Sequence, residues 1–343
     1  MCSIIQILNR LKIFNLSHSQ HLLKTPNLHS SSLEKLILKG CSSLVEVHQS
    51  IGNLTSLDFL NLEGCWSLKA LPESIGNVKS LECLNISGCS QLEKLPERMG
   101  DMESLTELLA DGIKNKLLPS FVHLKYVRKL SLRGYSFCRD SPSPTSWVSQ
   151  ISSWLSPSST SWPLPVSSSI TASTVLNWKR LLPTSFEWRS VKRLKLSNGG
   201  LSDRATNCVD FRGLSSLEEL DLSQNNFSSL PSGIGFLPKL SILSVQECIK
   251  LASILDLPSN LYDLNAFGCS SMKRVRMPIQ SKKDYLMYLN DCYMLEEIQG
   301  IEGPSNNYWS IEVDFPSDSS NNFQKSLAEV LSLSLQHTNI HIN

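Results

Sequence analysis

The chain has 343 residues, 41% of them hydrophobic, and its 32 basic and 31 acidic side chains leave a formal net charge of +1. That apolar content is enough for a buried core and excludes wholesale disorder. The charge balance excludes a general attraction to nucleic acid or anionic membrane.

The opening MCSIIQILNRLKIF does not read as a signal peptide: its apolar run is short, lacks a basic flank and is broken by Asn9 and Arg10. No stretch approaches the roughly 18 apolar residues of a membrane span, so the expected compartment is cytosolic. From Leu11 onward one template recurs, L-x-x-L-x-L-x-x-C/N-x-x-L. It reads LEKLILKGCSSL from Leu33, LDFLNLEGCWSL from Leu57, LECLNISGCSQL from Leu81, LEELDLSQNNFSSL from Leu217, LSILSVQECIKL from Leu240 and LYDLNAFGCSSM from Leu261. Weaker copies start at Leu11, Leu105, Val127 and Val191, and a last one is anchored by Met287, Leu289, Cys292 and Leu295. Starts fall 21 to 26 residues apart, apart from one gap between Val127 and Val191, which makes about eleven coils. That period is the leucine-rich-repeat period. The expected fold is an α/β solenoid, a horseshoe with a parallel β-sheet on its concave face and a mostly irregular or short-helical convex side. A solenoid grows by adding turns, so the length does not require a second core.

The fourth and sixth positions of each coil, such as Leu60 and Leu62, differ by two and face the same side of a short strand, while positions three, five and seven face the other way. Strands of successive coils stack about 4.8 Å apart, so eleven coils span roughly 50 Å. Cys41, Cys65, Cys89, Cys248, Cys269 and Cys292 occupy the ninth position, where Asn225 also stands. The expected role is inward packing against backbone groups leaving the sheet, where Cys is small and apolar and Asn supplies an amide. Metal binding or a disulfide framework is the weaker alternative, since no C-x-x-C pair exists and the spacing follows the repeat.

Return segments follow the strands: VHQSIGNLTSL at 47–57, LPESIGNVKSL at 71–81, LPERMGDMESL at 95–105 and LPSGIGFLPKL at 230–240. Proline limits strand extension and glycine permits the turn back, with at most one short helical turn between them. The array divides into repeats over 1–135, a partly disordered insertion over 136–190, repeats over 191–303 and a truncated tail over 304–343. The insertion is rich in serine and proline and carries Trp147, Trp154, Trp162, Trp178 and Trp188; LLPTSFEWRSV at 181–191 offers a further coil, and the tryptophans a docking surface. Both ends read as cut. In the tail, YWSIEVDF at 308–315 resembles a strand and NFQKSLAEVLSLSLQ at 322–336 has a helical apolar pattern.

On the strand face, the outward positions of successive coils alternate in sign. Glu107 and Asp111 are acidic; Arg128, Lys129, Arg133, Lys192, Arg193 and Lys195 form a basic block; Glu219 and Asp221 are acidic again. These ten are the candidate partner-binding residues, a basic block flanked by acidic ones that suits a protein of complementary charge. Solvation of the face is the plainer explanation, and the adjoining acidic coils disfavour nucleic acid. No catalytic constellation is present. The histidines, including His18, His21, His337 and His341, do not form a four-ligand zinc pattern, and there is no G-x-S-x-G elbow. The expectation is a binding scaffold with no catalytic, cofactor or metal residues.

The phrases LSHSQHLLKTPN, LEKLILKGCSSLVEVHQSIG, LNLEGCWSLKALPESIG and LDLSQNNFSSLPSGI resemble the repeat region of plant disease-resistance proteins, in the branch that joins a Toll/interleukin-1-receptor domain, a nucleotide-binding module and leucine-rich repeats. The resemblance runs over roughly residues 8–303, interrupted by the insertion. It implies the sensor segment of an intracellular immune receptor, cytoplasmic with the nucleus as a second compartment. Its implied protein partners are pathogen effectors or their host targets, and the nucleotide-binding module that the repeats hold inactive. The chain departs from the pattern in lacking a G-x-x-x-x-G-K-[ST] phosphate loop, so nucleotide binding is unsupported. Two other readings stay open: an extracellular ectodomain, suggested by N-x-[ST] sequons at Asn15, Asn53, Asn85 and Asn226, and a substrate-recognition or scaffold repeat protein.

Overall fold

In the computed structural model, the described residues are 10–28, 32–113, 124–134, 189–203, 211–278, 285–300, 309–313 and 340–341. The insertion tryptophans, the LLPTSFEWRSV phrase up to Trp188 and the helical pattern at 322–336 lie outside them.

Each predicted coil start is followed, two residues later, by a short strand. In chain order these are β1 (Ile13–Asn15), β2 (Lys35–Ile37), β3 (Phe59–Asn61), β4 (Cys83–Asn85), β5 (Glu107–Leu109), β6 (Lys129–Ser131), β7 (Arg193–Lys195), β8 (Glu219–Asp221) and β9 (Ile242–Ser244). Then come β10 (Ser253–Ile254), β11 (Asp263–Asn265), β12 (Arg274–Arg276), β13 (Tyr285–Tyr288), β14 (Glu297–Gln299), β15 (Trp309–Glu312) and β16 (Ile340–His341). Thirteen of them form one parallel sheet in the order β1-β2-β3-β4-β5-β6-β7-β8-β9-β11-β13-β15-β16. The fourth-position leucines are register partners, Leu60 with Leu84 and Leu220 with Leu243, and all four are buried. The inward leucines make one continuous core along the solenoid. A single coil has no opposite face to cover them, so each coil is stabilised by its neighbours.

β6 pairs directly with β7, Leu130 opposite Leu194. The rung at Val127 is therefore followed directly in the sheet by the rung at Val191. The sheet also continues past Gly300, where the leucine template ends. β15 pairs with β13 and places Ile311 opposite Met287, because joining the ladder requires only free backbone groups and one inward apolar side chain.

The return path holds 3-10 turns at Gln49–Asn53, Glu73–Asn77 and Glu97–Asp101. Pro72 and Pro96 sit at the N-cap, and in the variant segment His48 takes that place and accepts the Ser50 N–H. These turns stack so closely that a Cβ on Gly76 would lie 2.5 Å from Cβ of Arg98. The periodicity did not anticipate a second ladder on this side. β10, β12 and β14 form a three-stranded parallel sheet, extended by bridges Lys24–Glu46–Ala70, Ser202–Asn226 and Ser229–Ser253. Its signal lay in MKRVRM, where buried Val275 and Met277 alternate with exposed Arg274 and Arg276.

The eighth position turns the chain out of the strand. Gly40, Gly64, Gly88, Gly112, Gly134 and Gly268 all have φ between 66° and 73°, and His18, Asn198, Gln224, Glu247 and Asp291 hold the equivalent left-handed conformation in the other coils. The N–H of this residue donates to the seventh-position carbonyl of the next coil, as Gly64 does to Ser87 at 2.8 Å. Glycine adopts this conformation without the cost other residues incur.

Leu84→Ala should cost about 2–5 kcal/mol in urea denaturation of the full chain, since the cavity is closed on every side. Gly112→Ala should cost about 1–2 kcal/mol: nothing lies within 4 Å of the added Cβ, so the loss reports the left-handed backbone alone.

Candidate protein-binding face

The ninth position is the first place where sequence suggested chemistry. Each thiol donates to the sixth-position carbonyl of the preceding coil: Cys41 to Leu16 at 3.1 Å, Cys65 to Leu38 at 3.2 Å, Cys89 to Leu62 at 3.2 Å, Cys248 to Leu222 at 3.3 Å, Cys269 to Val245 at 3.1 Å and Cys292 to Ala266 at 3.3 Å. Asn225 makes the same contact to Leu196 at 3.0 Å and adds a second donation to Leu222 at 2.7 Å. Its Oδ1 accepts the N–H groups of Gly199 and Leu201. Asn thus stands where the coil leaves two additional N–H groups without a backbone acceptor. Among the described residues every cysteine is a free thiol, and no group of three His, Cys, Asp or Glu side chains is placed to hold a metal ion. Burial pushes the thiols of Cys65 and Cys89 up to about 12 and those of Cys248 and Cys292 up to about 11. They are weak nucleophiles at neutral pH.

The strand face carries the ten charged candidates, and the structure shows how they are spent. Lys129 pairs with Glu107 at 3.1 Å and Arg193 with Glu219 at 3.0 Å, each across adjacent rungs, and Arg133 reaches Asp221 two rungs away at 3.4 Å. Lys192 pairs at 2.8 Å with Glu218, a second-position residue left off the sequence-derived set. Asp111 accepts the Ser131 hydroxyl and the Arg133 N–H. The basic block is therefore laced to its acidic flanks, because residues at one position of successive coils stand about 4.8 Å apart. Among the described residues, only Arg128 and Lys195 of the ten have no ion pair or side-chain hydrogen bond. Not every outward position is exposed. Asn85, Ser131 and Ser197 retain 8%, 4% and 7% of their accessible surface, since short side chains sit below the longer ones on neighbouring rungs. Asn85 also turns back on its own coil, its Oδ1 accepting the Ser87 N–H at 2.9 Å.

A depression of about 390 Å³ opens on this face over β7, β8 and β9. Five of the ten candidates line it, namely Arg133, Arg193, Lys195, Glu219 and Asp221, together with Ile242, Ser244, Gln246 and Glu247. Glu107, Asp111, Arg128, Lys129 and Lys192 lie outside it. Beyond its edge is Asp263 on β11, in register with Ile242. Extending the outward-position arithmetic by one coil, to Leu261, would have found it.

Residues 4–156 match a family model described as a leucine-rich repeat region. That match takes in less than half of the chain. Over 110 residues it is 32% identical to the TMV resistance protein N of Nicotiana glutinosa, covering 32% of this chain and 9% of that protein. Over 67 residues it is 43% identical to disease resistance protein RPS4 of Arabidopsis thaliana, covering 19% and 6%. A probable disease resistance protein of Arabidopsis thaliana, At4g19520, is 36% identical over 86 residues, covering 25% and 5%. The matched stretches are thus less than a tenth of these relatives' length. Among solved structures, an LRR protein of Leptospira interrogans aligns over 99% of this chain and 98% of its own, at 19% identity and a TM-score of 0.40. No helix among the described residues is long and apolar enough to cross a membrane.

The native chain, alkylated at pH 8 and mapped by mass spectrometry, should leave the six ninth-position thiols unmodified, and all six should react in denaturant. Their folded pKa values lie above the ordinary 9.0. The folded state therefore holds protons that the unfolded state has released, and stability falls as pH rises from about 9 towards 11–12. A denaturation midpoint that increased over that range would contradict the burial described.

Proposed function

We propose that this chain is the recognition segment of an intracellular plant immune receptor, which binds a pathogen effector or its host target through the strand face and restrains a nucleotide-binding module until then. The observation that carries the reading is the concurrence of an unbroken parallel strand face with sequence likeness to TMV resistance protein N and RPS4. A leucine-rich repeat offers many rungs to one macromolecular partner, and the laced charges on β5 to β8 give that face a fixed electrostatic pattern. Such patterns govern association rate and specificity more than raw affinity.

An extracellular ectodomain is the second reading, suggested by the sequons. The Asn85 sequon speaks against it, since that side chain is 8% exposed and its amide reaches Glu63 at 3.5 Å. A glycan there would have to leave the face on which partners dock. The intracellular reading puts the chain in the cytoplasm.

Proximity labelling in native tissue, with the labelling enzyme fused to the chain, should recover a nucleotide-binding receptor or a pathogen protein from the cytoplasm. Recovery of secretory-pathway proteins, with a mobility shift on deglycosylation, would favour the ectodomain. With a captured partner, the Arg133→Glu/Arg193→Glu double variant should bind at least about tenfold more weakly at low salt, with the difference shrinking as salt screens the field. Unchanged binding across salt concentrations would remove the charged rungs from the interface.

A further inference from the structure

Six charged side chains line the strand-face depression, and five of them are occupied. Arg133 and Asp221 pair, Arg193 and Glu219 pair, and Glu247 accepts from Gln224 at 2.9 Å. Lys195 is exposed and has no partner among the described residues. Its register neighbour Asp221 is taken by Arg133 and by the Ser223 N–H at 3.0 Å. On the rung just past the opposite edge stands Asp263, between Ile242 and Leu286. No cation among the described residues pairs with it, and burial alone holds its carboxyl pKa above the usual range. Glu107 and Glu219, at the same position of their own coils, each have a lateral cation. The depression thus lies between one uncompensated cation and one uncompensated, half-buried carboxylate.

We infer that this depression seats an extended segment of a protein partner, running across the strands, that sets a carboxylate on Lys195 and a lysine or arginine on Asp263, four residues apart. The inference rests on the reading of the strand face as the docking surface and adds the chemistry of what docks. Lys195 and Asp263 lie three rungs apart, on β7 and β11, and two residues out of register, Lys195 being level with Asn265, which is roughly 16 Å on the diagonal at the spacing and rise of parallel strands. An extended chain advances about 3.3 Å per residue, so four residues cover about 13 Å, the long side chains of Lys195 and of the partner's cation span the remaining few ångströms, and an even separation points both side chains to the same face. The floor between them supplies Ile242 and the hydroxyls of Ser223 and Ser244, 2.9 Å apart. The aliphatic stem of the partner's cation packs on Ile242 and Leu286 while its head meets the carboxylate.

A displayed library of random 12-residue peptides, selected on the full chain, tests this. Enriched peptides should carry an acidic and a basic residue at a separation of four, in one preferred order. Lys195→Gln and Asp263→Asn should each weaken binding about tenfold, and the Lys195→Glu/Asp263→Lys double variant should select the reverse order. Selected peptides that bind both single variants within about twofold, yet are blocked by Ile242→Arg or Ser244→Arg, would overturn the two-charge inference and leave the strand face as the docking surface. Peptides indifferent to all four single variants would overturn both readings, and a library without a binder would overturn the inference. Unchanged melting temperatures confirm that each variant is folded, as expected for surface positions.

Discussion

In several coils of this chain the sixth-position carbonyl that ends the strand points into the core and accepts a hydrogen bond where water cannot reach. The ninth-position side chain of the next coil supplies it, a thiol in six coils and the Asn225 amide in another. A buried carbonyl left without its hydrogen bond costs on the order of 1–3 kcal/mol, and the debt would recur at each of these coils. The donor comes from the neighbouring turn, so the same contact that satisfies the backbone also fixes how the coils stack. Leucine burial drives the association, and this bond, with the left-handed residue just before it, sets the pitch.

From that stacking follows the character of the binding face. Equivalent positions of successive coils are forced into lateral rows, so a charge on one rung is always beside whatever the next rung carries. Lys129 and Glu107, Arg193 and Glu219, and Lys192 and Glu218 are paired for this reason and not through any specialised local structure. Exposed pairs of this kind contribute little to stability, about 0–1 kcal/mol each. Their larger effect is to neutralise most of the face while fixing where its charges stand.

The direct pairing of β6 with β7 shows how tolerant this architecture is. A solenoid rung needs only its strand, its inward apolar residues and the next coil's cover. Rungs far apart in sequence can therefore be neighbours in the sheet, as β6 and β7 are, with Val127, Leu130, Val191 and Leu194 buried. The second ladder through β10, β12 and β14 follows from the same economy: once stacking is fixed, extended backbone on the return side comes within reach of its equivalent in the next coil.

The fold was legible in the amino-acid order because its period is local. Leu60 and Leu62, the ninth-position cysteines and the proline-glycine return segments all recur at spacings set by a single coil, and a linear string preserves them. The left-handed eighth position was equally visible as a glycine column in six coils, but its exceptions at His18, Asn198, Gln224, Glu247 and Asp291 hid it. The residues of the strand face could be named by counting, yet their state could not. Whether Arg193 is available or engaged with Glu219, and whether Asn85 is exposed or covered, depends on side chains of neighbouring coils some two dozen residues away, and only stacking decides which of them meet. Among the described residues, Lys195 and Asp263 are charges that this pairing leaves over, a remainder that no single coil reveals.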